Sequence, residues 1–390
     1  MRIVIAPDSF KESLSAQAAA NAIESGLRRV LPTAELVKIP LADGGEGTVD
    51  ALLTALGGRR VRVRVMGPLG TPVSAVYGRL RDGSVVLEMA QAAGLPLVPL
   101  ARRNPLKTTT YGVGELLAHA LARGARRVVL GLGGSATNDG GAGLLQALGA
   151  RLLDARGRPL VAGVTGGDLV RVRAIDLGAL DPRLAHSEIL IACDVRNPLV
   201  GPRGAAAIYG PQKGANPAQV RLLDAHLRHF GGLLEQATGA RLLQRAGAGA
   251  AGGLGAALLG VAGGEIHSGA DLVLRWVGFE AALQGADLVV TGEGRLDDQT
   301  RFGKTPAAVA AVAQRLGIPV VGLAGSLSTN VNVNFRHGFD ALMAAVVHPT
   351  TPAAALSRAR PALRAAAERL ARWLLLAQRF TPPPTAQPAR

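Results

Sequence analysis

Short apolar runs alternate with polar, glycine-rich loops and amphipathic stretches along most of the chain, a pattern that predicts an α/β fold. The first run, Ile3-Val4-Ile5-Ala6, reads as a buried strand, followed by the loop Pro7-Asp8-Ser9-Phe10-Lys11-Glu12-Ser13. From about Ser15 to Val30, the positions Ala19, Ala22, Ile23, Leu27 and Val30 share one side, as in a helix packed on a sheet. Ser13 or Ser15 is placed to cap that helix. A second strand, Leu36 to Ile39, leads into Ala42-Asp43-Gly44-Gly45-Glu46-Gly47 and a helix over Thr48 to Leu56. Both loops carry an acid at the carboxyl end of a strand, the edge where open α/β sheets bind ligands. Asp8 and Asp43 therefore read as metal or hydroxyl contacts, or else as caps of a helix or turn.

Between Arg60 and Glu88 the texture changes. Val61, Val63 and Val65 alternate with arginines, and Val73 to Leu80 with Val85 to Leu87 predicts a hairpin around Asp82-Gly83. A domain boundary is placed near residue 65. A helix is expected from Val113 to Ala122 after the triplet Thr108-Thr109-Thr110, which can cap or touch an anion.

The stretch RRVVLGLGGSATNDGGAG, Arg126 to Gly143, is the richest in chemistry. A strand, Val128 to Leu130, runs into a loop with Gly133, Gly134, Ser135, Thr137, Asn138 and Asp139, and Leu144, Leu145 and Leu148 form the stripe of a following helix. Strand, glycine loop and helix is an arrangement that holds phosphates, because glycine admits close backbone approach and the first helical N–H groups point at the anion. The alternative is a tight turn. The loop matches neither GxxxxGK[ST] nor the dinucleotide fingerprint.

Ile189 to Ala192 is the next clear strand and delivers Cys193, Asp194, Arg196 and Asn197. Cys193 reads as a packed thiol. A helix is predicted from Pro217 to Phe230, with His226 and His229 as solvated side chains rather than a metal pair. A second glycine- and alanine-rich block, Arg245 to Gly264, reads as a linker or as a glycine loop at Gly247 to Gly253, with Gly249, Gly252 and Gly253, feeding a packed helix. The third part returns to the early rhythm. The strand Ala286 to Thr291 precedes an acid-dense loop with Glu293, Arg295, Asp297 and Asp298. Gly303-Lys304-Thr305 opens a helix over Pro306 to Leu316, a strand follows at Val320 to Leu323, and Leu342 to Val347 is a further short apolar run. An amphipathic helix over Pro361 to Phe380 is expected to pack on the domain, and residues 381–390 read as disordered. Because the βα rhythm occupies both ends, the layout expected is a discontinuous, doubly wound Rossmann-like domain (1–65 and 280–380) with a second α/β domain (66–279) inserted, two sequential domains being the alternative.

Composition narrows the function classes. At 390 residues the chain has room for two domains. No apolar run reaches membrane-spanning length, the start turns polar too soon for a signal peptide, and a single cysteine fits a reducing compartment, so a cytoplasmic location is expected and no membrane partner. The net charge of +15 raises a nucleic-acid partner, but the arginines are scattered and aromatics are only 3%, too few for stacking platforms. A small anionic substrate suits the same field. Glycine loops, strand-end aspartates and two loop lysines, Lys213 and Lys304, are the equipment of phosphoryl transfer. An NAD(P)-dependent hydroxy-acid dehydrogenase and a non-catalytic anion- or nucleic-acid-binding protein remain alternatives.

The assembled motifs resemble the glycerate kinase family of the bacterial glycerate 2-kinase type. They are IAPDSFKESLSA (Ile5 to Ala16), PLADGGEGT (Pro40 to Thr48), NPLKTTTYGVGELL (Asn104 to Leu117), LGGSATNDGGAGLLQALG (Leu132 to Gly149), ACDVRNPLVGPRGAAAIYGPQKGA (Ala192 to Ala215), AGAGAAGGLGAALL (Ala246 to Leu259) and TGEGRLDDQTRFGKTP (Thr291 to Pro306). They stand in the family's order. The resemblance implies two α/β domains with the active site in the cleft between them, ATP and D-glycerate as substrates, Mg²⁺, and 2-phosphoglycerate as product, with 3-phosphoglycerate the alternative. It is compatible with a homo-oligomer. The matched positions include Asp8, Ser9, Lys11, Asp43, Glu46, Asp194, Asn197, Lys213, Glu293, Arg295, Asp297 and Lys304. The roles expected are Asp194 to orient the acceptor hydroxyl, Lys11, Lys213 and Arg295 on the glycerate carboxylate or transferred phosphoryl group, and Asp297, Asp43 or Asp8 for the metal. Gly133, Gly134, Ser135, Thr137, Asn138, Gly249, Gly252, Gly253 and Lys304 are expected to cradle the nucleotide. Two departures stand out: Glu12 where glycine is common, expected to be a tolerated surface change, and the run STNVNVNFR from Ser328 to Arg336, near a substrate loop.

Overall fold

The computed structural model describes residues 1–298, 300 and 304–380. Gly303 and the proline-rich end, 381–390, lie outside the described residues. The chain divides into two compact units, Met1–Leu41 with Leu274–Arg390, and Ala42–Val273. Position 65 falls inside the second unit. The strand Gly58–Met66 pairs antiparallel along its length with Pro72–Leu80, and the helix Thr48–Leu56 packs on that hairpin, so neither belongs with the N-terminal strands.

The first unit is built on a parallel five-stranded sheet. Its order is Ala341–Ala344, Val320–Ala324, Leu288–Gly292, Arg2–Pro7, Glu35–Lys38. Ile3, Ile5, Val290 and Leu323 pack with Ile23 and Leu27 of the helix Ala16–Arg28 and with Leu363 and Leu370 of the helix Ala359–Gln378. The C-terminal amphipathic helix thus spends its apolar stripe on the sheet and its neighbouring helix, leaving Trp373 exposed. Ser15 caps the first helix, its Oγ accepting from Ala18 N at 3.2 Å. The chain leaves Arg2–Pro7 toward the edge strand Glu35–Lys38, while Leu288–Gly292 lies on the opposite side. The loops after Pro7 and Gly292 therefore flank a topological switch point, where such sheets hold ligands.

A mixed six-stranded sheet organises the second unit: Glu265–His267, Glu188–Ala192, Arg127–Gly131, Val85–Glu88, Pro72–Leu80, Gly58–Met66. The first four strands are parallel and the last two add the antiparallel hairpin. The helix expected to end at Phe230 continues from Pro217 to Thr238. Gly231 does not break it, because that glycine is buried against Leu199 and Leu243. Of the two histidines of this helix, expected to be solvated, His226 is buried and His229 half-buried. His226 is 8% exposed and donates Nδ1–H to the Gly166 carbonyl at 2.9 Å, and His229 Nε2 lies 2.7 Å from the Val172 carbonyl. Both tie an irregular segment, 163–173, to the helix. Among the described residues no helix is long and apolar enough to cross a membrane.

Candidate active site

In the first unit the switch-point loops assemble an acid–lysine cluster. Lys11-Glu12-Ser13 turns tightly between Phe10 and Leu14, whose backbones bond each other, and this forces Glu12 to a φ of +64°. Only glycine adopts that conformation freely, which explains why glycine is common there. The turn leaves Lys11 exposed near Glu293. Asp8 is buried and accepts from Thr305 Oγ1 at 2.7 Å, at the start of the helix Thr305–Arg315. Lys304 Nζ stands 3.5 Å from Glu293 Oε1 and 3.4 Å from Asp297 Oδ1. Burial pushes the Glu293 carboxyl up, and Lys304, Thr300 and Lys11 draw it back down. Arg295 is exposed on a two-residue strand that pairs with Ser326-Leu327. Asn334, from the asparagine-rich run, is fully buried and donates to the Asp297 carbonyl at 2.9 Å. That run therefore supports the acid loop from behind.

In the second unit, the loops after the neighbouring strands Arg127–Gly131 and Glu188–Ala192 converge on the segment Ala42–Gly47. The Ala42–Gly47 loop lies against a strand-end glycine and a helix-start glycine: a Cβ on Gly131 would stand 2.1 Å from Gly44 O, and one on Gly269 would stand 1.9 Å from Asp43 O. Asp43 Oδ1 accepts from Gly45 N at 2.9 Å. Asp194 Oδ1 accepts from Gly269 N at 3.0 Å. Asp194 is exposed as a residue, yet its carboxylate is sheltered. Desolvation pushes it up, Ser268 and Gly269 N–H lower it, and Asp43 and Asp271 raise it further. Asn197 is pinned at both ends of its amide, donating to Arg203 O and accepting from Tyr209 OH, each at 2.8 Å.

The central glycine loop has an outer and an inner half. Gly133 and Gly134 are exposed and Ser135 is 9% exposed, whereas Thr137, Asn138 and Asp139 are fully buried. Asp139 is a structural anchor. It accepts from Thr110 N and Oγ1 at 2.8 Å and from Gly141 and Gly143 N–H at the start of the helix Ala142–Ala147. Of the threonine triplet, Thr110 holds Asp139 and its Oγ1 also accepts from Leu144 N at 3.0 Å. Thr137 Oγ1 and both amide atoms of Asn138 are buried with no partner among the described residues. Lys213, expected to reach a substrate, is 2% exposed and donates Nζ–H to Thr137 O at 2.7 Å. Gly249, Gly252 and Gly253, expected to cradle a nucleotide, are buried and committed to backbone packing. Gly252, at φ +70°, approaches Thr137 so closely that a Cβ would stand 1.9 Å from its carbonyl oxygen. Cys193 is buried, which pushes its thiol up to about 11, out of the range of a nucleophile.

Glu88 was not singled out in the sequence. It ends the strand Val85–Glu88, is 4% exposed, and accepts from Val49 N at 2.8 Å, at the start of the helix Thr48–Leu56. Burial pushes its carboxyl up to about 7, and Asp50 and Glu46 add to the rise. The signal available was an acid closing an apolar strand, the same one that marked Asp8 and Asp194.

Comparison with known proteins gives a consistent picture. The family model described as "Glycerate kinase family" matches residues 3–375. A glycerate kinase of Bacillus subtilis (strain 168) is 52% identical over 347 residues, covering 89% of this chain and 90% of that protein. A glycerate 2-kinase of Escherichia coli (strain K12) is 50% identical over 343 residues, covering 88% and 90%. A crystal structure of a "putative glycerate kinase 2" from Salmonella typhimurium LT2 superposes with a TM-score of 0.87 at 48% identity, covering 97% of this chain and all of the other.

Proposed function

Because the chain belongs to the glycerate kinase family, we propose that it transfers the γ-phosphoryl group of ATP to the 2-hydroxyl of D-glycerate, giving 2-phosphoglycerate and ADP. The observation that carries the reading is the convergence, on one sheet edge of the second unit, of Asp194, Asp43 and the exposed half of the central glycine loop. Phosphoryl transfer needs little covalent chemistry from a protein; it needs positioning and charge stabilisation.

Asp194 orients the acceptor hydroxyl and takes its proton as the oxygen attacks phosphorus. A carboxylate raised above its ordinary range is the better proton acceptor. Gly133, Gly134 and Ser135 supply backbone N–H groups to phosphate oxygens. In the first unit, Lys11 and Arg295, both exposed, and Lys304 are cations suited to carboxylate or phosphoryl oxygens. Mg²⁺ is implied by the family. Among the described residues no three His, Cys, Asp or Glu side chains converge as an all-protein metal cage requires. Mg²⁺ does not need one, since it keeps several waters and binds through one or two carboxylates plus substrate phosphates. Asp43 is the first candidate, because its charge already opposes that of Asp194 and a divalent cation would relieve the repulsion; Asp8 and Asp297 are the others. When bound, Mg²⁺ would neutralise charge on the transferring phosphoryl oxygens. The cytoplasm, reducing and supplied with ATP, suits a protein with one buried thiol.

The test is ³¹P NMR of the protein with ATP, Mg²⁺ and D-glycerate against a control without acceptor. A phosphomonoester signal of 2-phosphoglycerate is expected. A 3-phosphoglycerate signal would keep the kinase and correct the hydroxyl, and intact ATP with folded protein would overturn D-glycerate as acceptor.

A further inference from the structure

We propose that Lys213 is a positioning residue for the phosphate-binding loop: it touches neither substrate, and acts by holding the Thr137 carbonyl so that Gly133 to Ser135 are presented to the nucleotide. The inference rests on the kinase reading for what the loop binds, and on geometry for the rest.

The Thr137 carbonyl is the meeting point of three chain segments. Lys213 Nζ reaches it at 2.7 Å from the short helical turn Pro211–Lys213. Gly252 presses on it from the second glycine block, which is also tied to the loop by Gly140 N donating to Gly252 O at 3.0 Å. Elsewhere the loop is held by its ends. Leu95 N donates to Gly134 O at 2.8 Å, Ala136 N to Ala93 O at 2.9 Å, and Thr108 Oγ1 to Ala136 O at 3.0 Å. At Thr137 and Asn138, in the middle of the loop, the hydrogen bond from Lys213 is the one that a side chain gives to the backbone among the described residues. Lys11 is carried at the surface, whereas Lys213 is 2% exposed with its Nζ committed to the Thr137 carbonyl. Burial pushes it down to about 7, opposed by the charge of Asp139, so the site is built for a donor more than for a fixed positive charge.

Removing the donor while keeping the shape separates this role from direct chemistry. Lys213→Met in the full-length enzyme is expected to raise the KM for MgATP about tenfold, with the D-glycerate KM within about twofold and kcat reduced less than about tenfold. A fall in kcat of about a thousandfold with an unchanged MgATP KM would assign Lys213 to the chemistry and overturn the proposal. So would constants all within twofold of wild type. A second measurement needs no variant. Amine acetylation of the wild-type protein, mapped by mass spectrometry, is expected to spare Lys213 with or without substrates. Labelling that D-glycerate or MgATP blocks would place the amine in a substrate site and overturn the proposal, and it decides the matter if Lys213→Met does not fold. Absence of any phosphoryl transfer by the wild-type enzyme would instead sink the kinase reading and leave the labelling result standing.

Discussion

Replacing Glu88 with glutamine should make the second unit more stable at alkaline pH and leave it nearly unchanged in acid. The side chain is 4% exposed and its Oε1 accepts from Val49 N, a bond that the glutamine oxygen can also accept. Desolvation is the largest cause of the raised carboxyl, followed by the opposing bonds from Val49 and Gln91, with Asp50 and Glu46 raising it further. An acid whose folded value is raised favours the folded state while protonated. Its contribution is full below the ordinary value of 4.5 and is lost as the pH climbs through about 7. At about 1.4 kcal/mol per pH unit, the rise amounts to about 3 kcal/mol, roughly three-quarters of it between pH 5 and pH 8. Urea unfolding of wild type and Glu88→Gln at those two pH values measures it, followed by far-ultraviolet circular dichroism. Tryptophan emission is unsuitable, because Trp276 and Trp373 both lie in the other unit. The difference between variant and wild type should grow by about 2–3 kcal/mol from pH 5 to pH 8. A difference that stays constant across that range would refute the assignment of the raised carboxyl to Glu88.

Gly252→Ala forces a Cβ to within 1.9 Å of the Thr137 carbonyl at a φ of +70°, and should cost more than about 2 kcal/mol in thermal or urea unfolding. Glu12→Gly relieves a left-handed residue in the Lys11 turn and should stabilise by about 0.5–1 kcal/mol; a loss of stability would contradict the turn geometry. Asp194→Asn should lower kcat at least about a hundredfold with the MgATP KM near wild type, and full turnover would remove Asp194 from the chemistry. His226→Ala leaves the Gly166 carbonyl unpaired in a buried place and should cost about 1–3 kcal/mol, with no response to added zinc or to chelator.

Local pattern made much of this molecule legible. Ile3 to Ala6, Val128 to Leu130 and Ile189 to Ala192 are short apolar runs between turn signals, and each is a central strand of its sheet. The loops that carry Asp8, Asp43, Asp194 and the central glycines could be placed because strand ends are visible in sequence. What the sequence hides is decided by distant partners. The strand Gly58–Met66 joins the second unit because its whole length pairs with Pro72–Leu80, and periodicity does not say which sheet a strand enters. His226 and His229 look like surface side chains on a polar helix until segment 163–173 folds over them. Lys213 reads as a substrate lysine because it sits in a polar, glycine-flanked loop; its burial depends on Thr137, 76 residues away. Glu88 is hidden because one acid after an apolar run is a weak mark unless the helix that it caps is known.

The split of the first unit across both ends of the chain has a consequence for synthesis. Its first 41 residues emerge with the strand Arg2–Pro7, but the neighbour Leu288–Gly292 and the helix Ala359–Gln378 that cover Ile3, Ile5, Ile23 and Leu27 come last. At about 5–20 residues per second, the ribosome leaves this apolar segment waiting for tens of seconds while the second unit emerges and can complete its own core. Emergence of the helix Ala359–Gln378 is therefore the step that closes the first unit, and a nascent chain stalled before residue 288 carries an unsatisfied edge on the strand Arg2–Pro7.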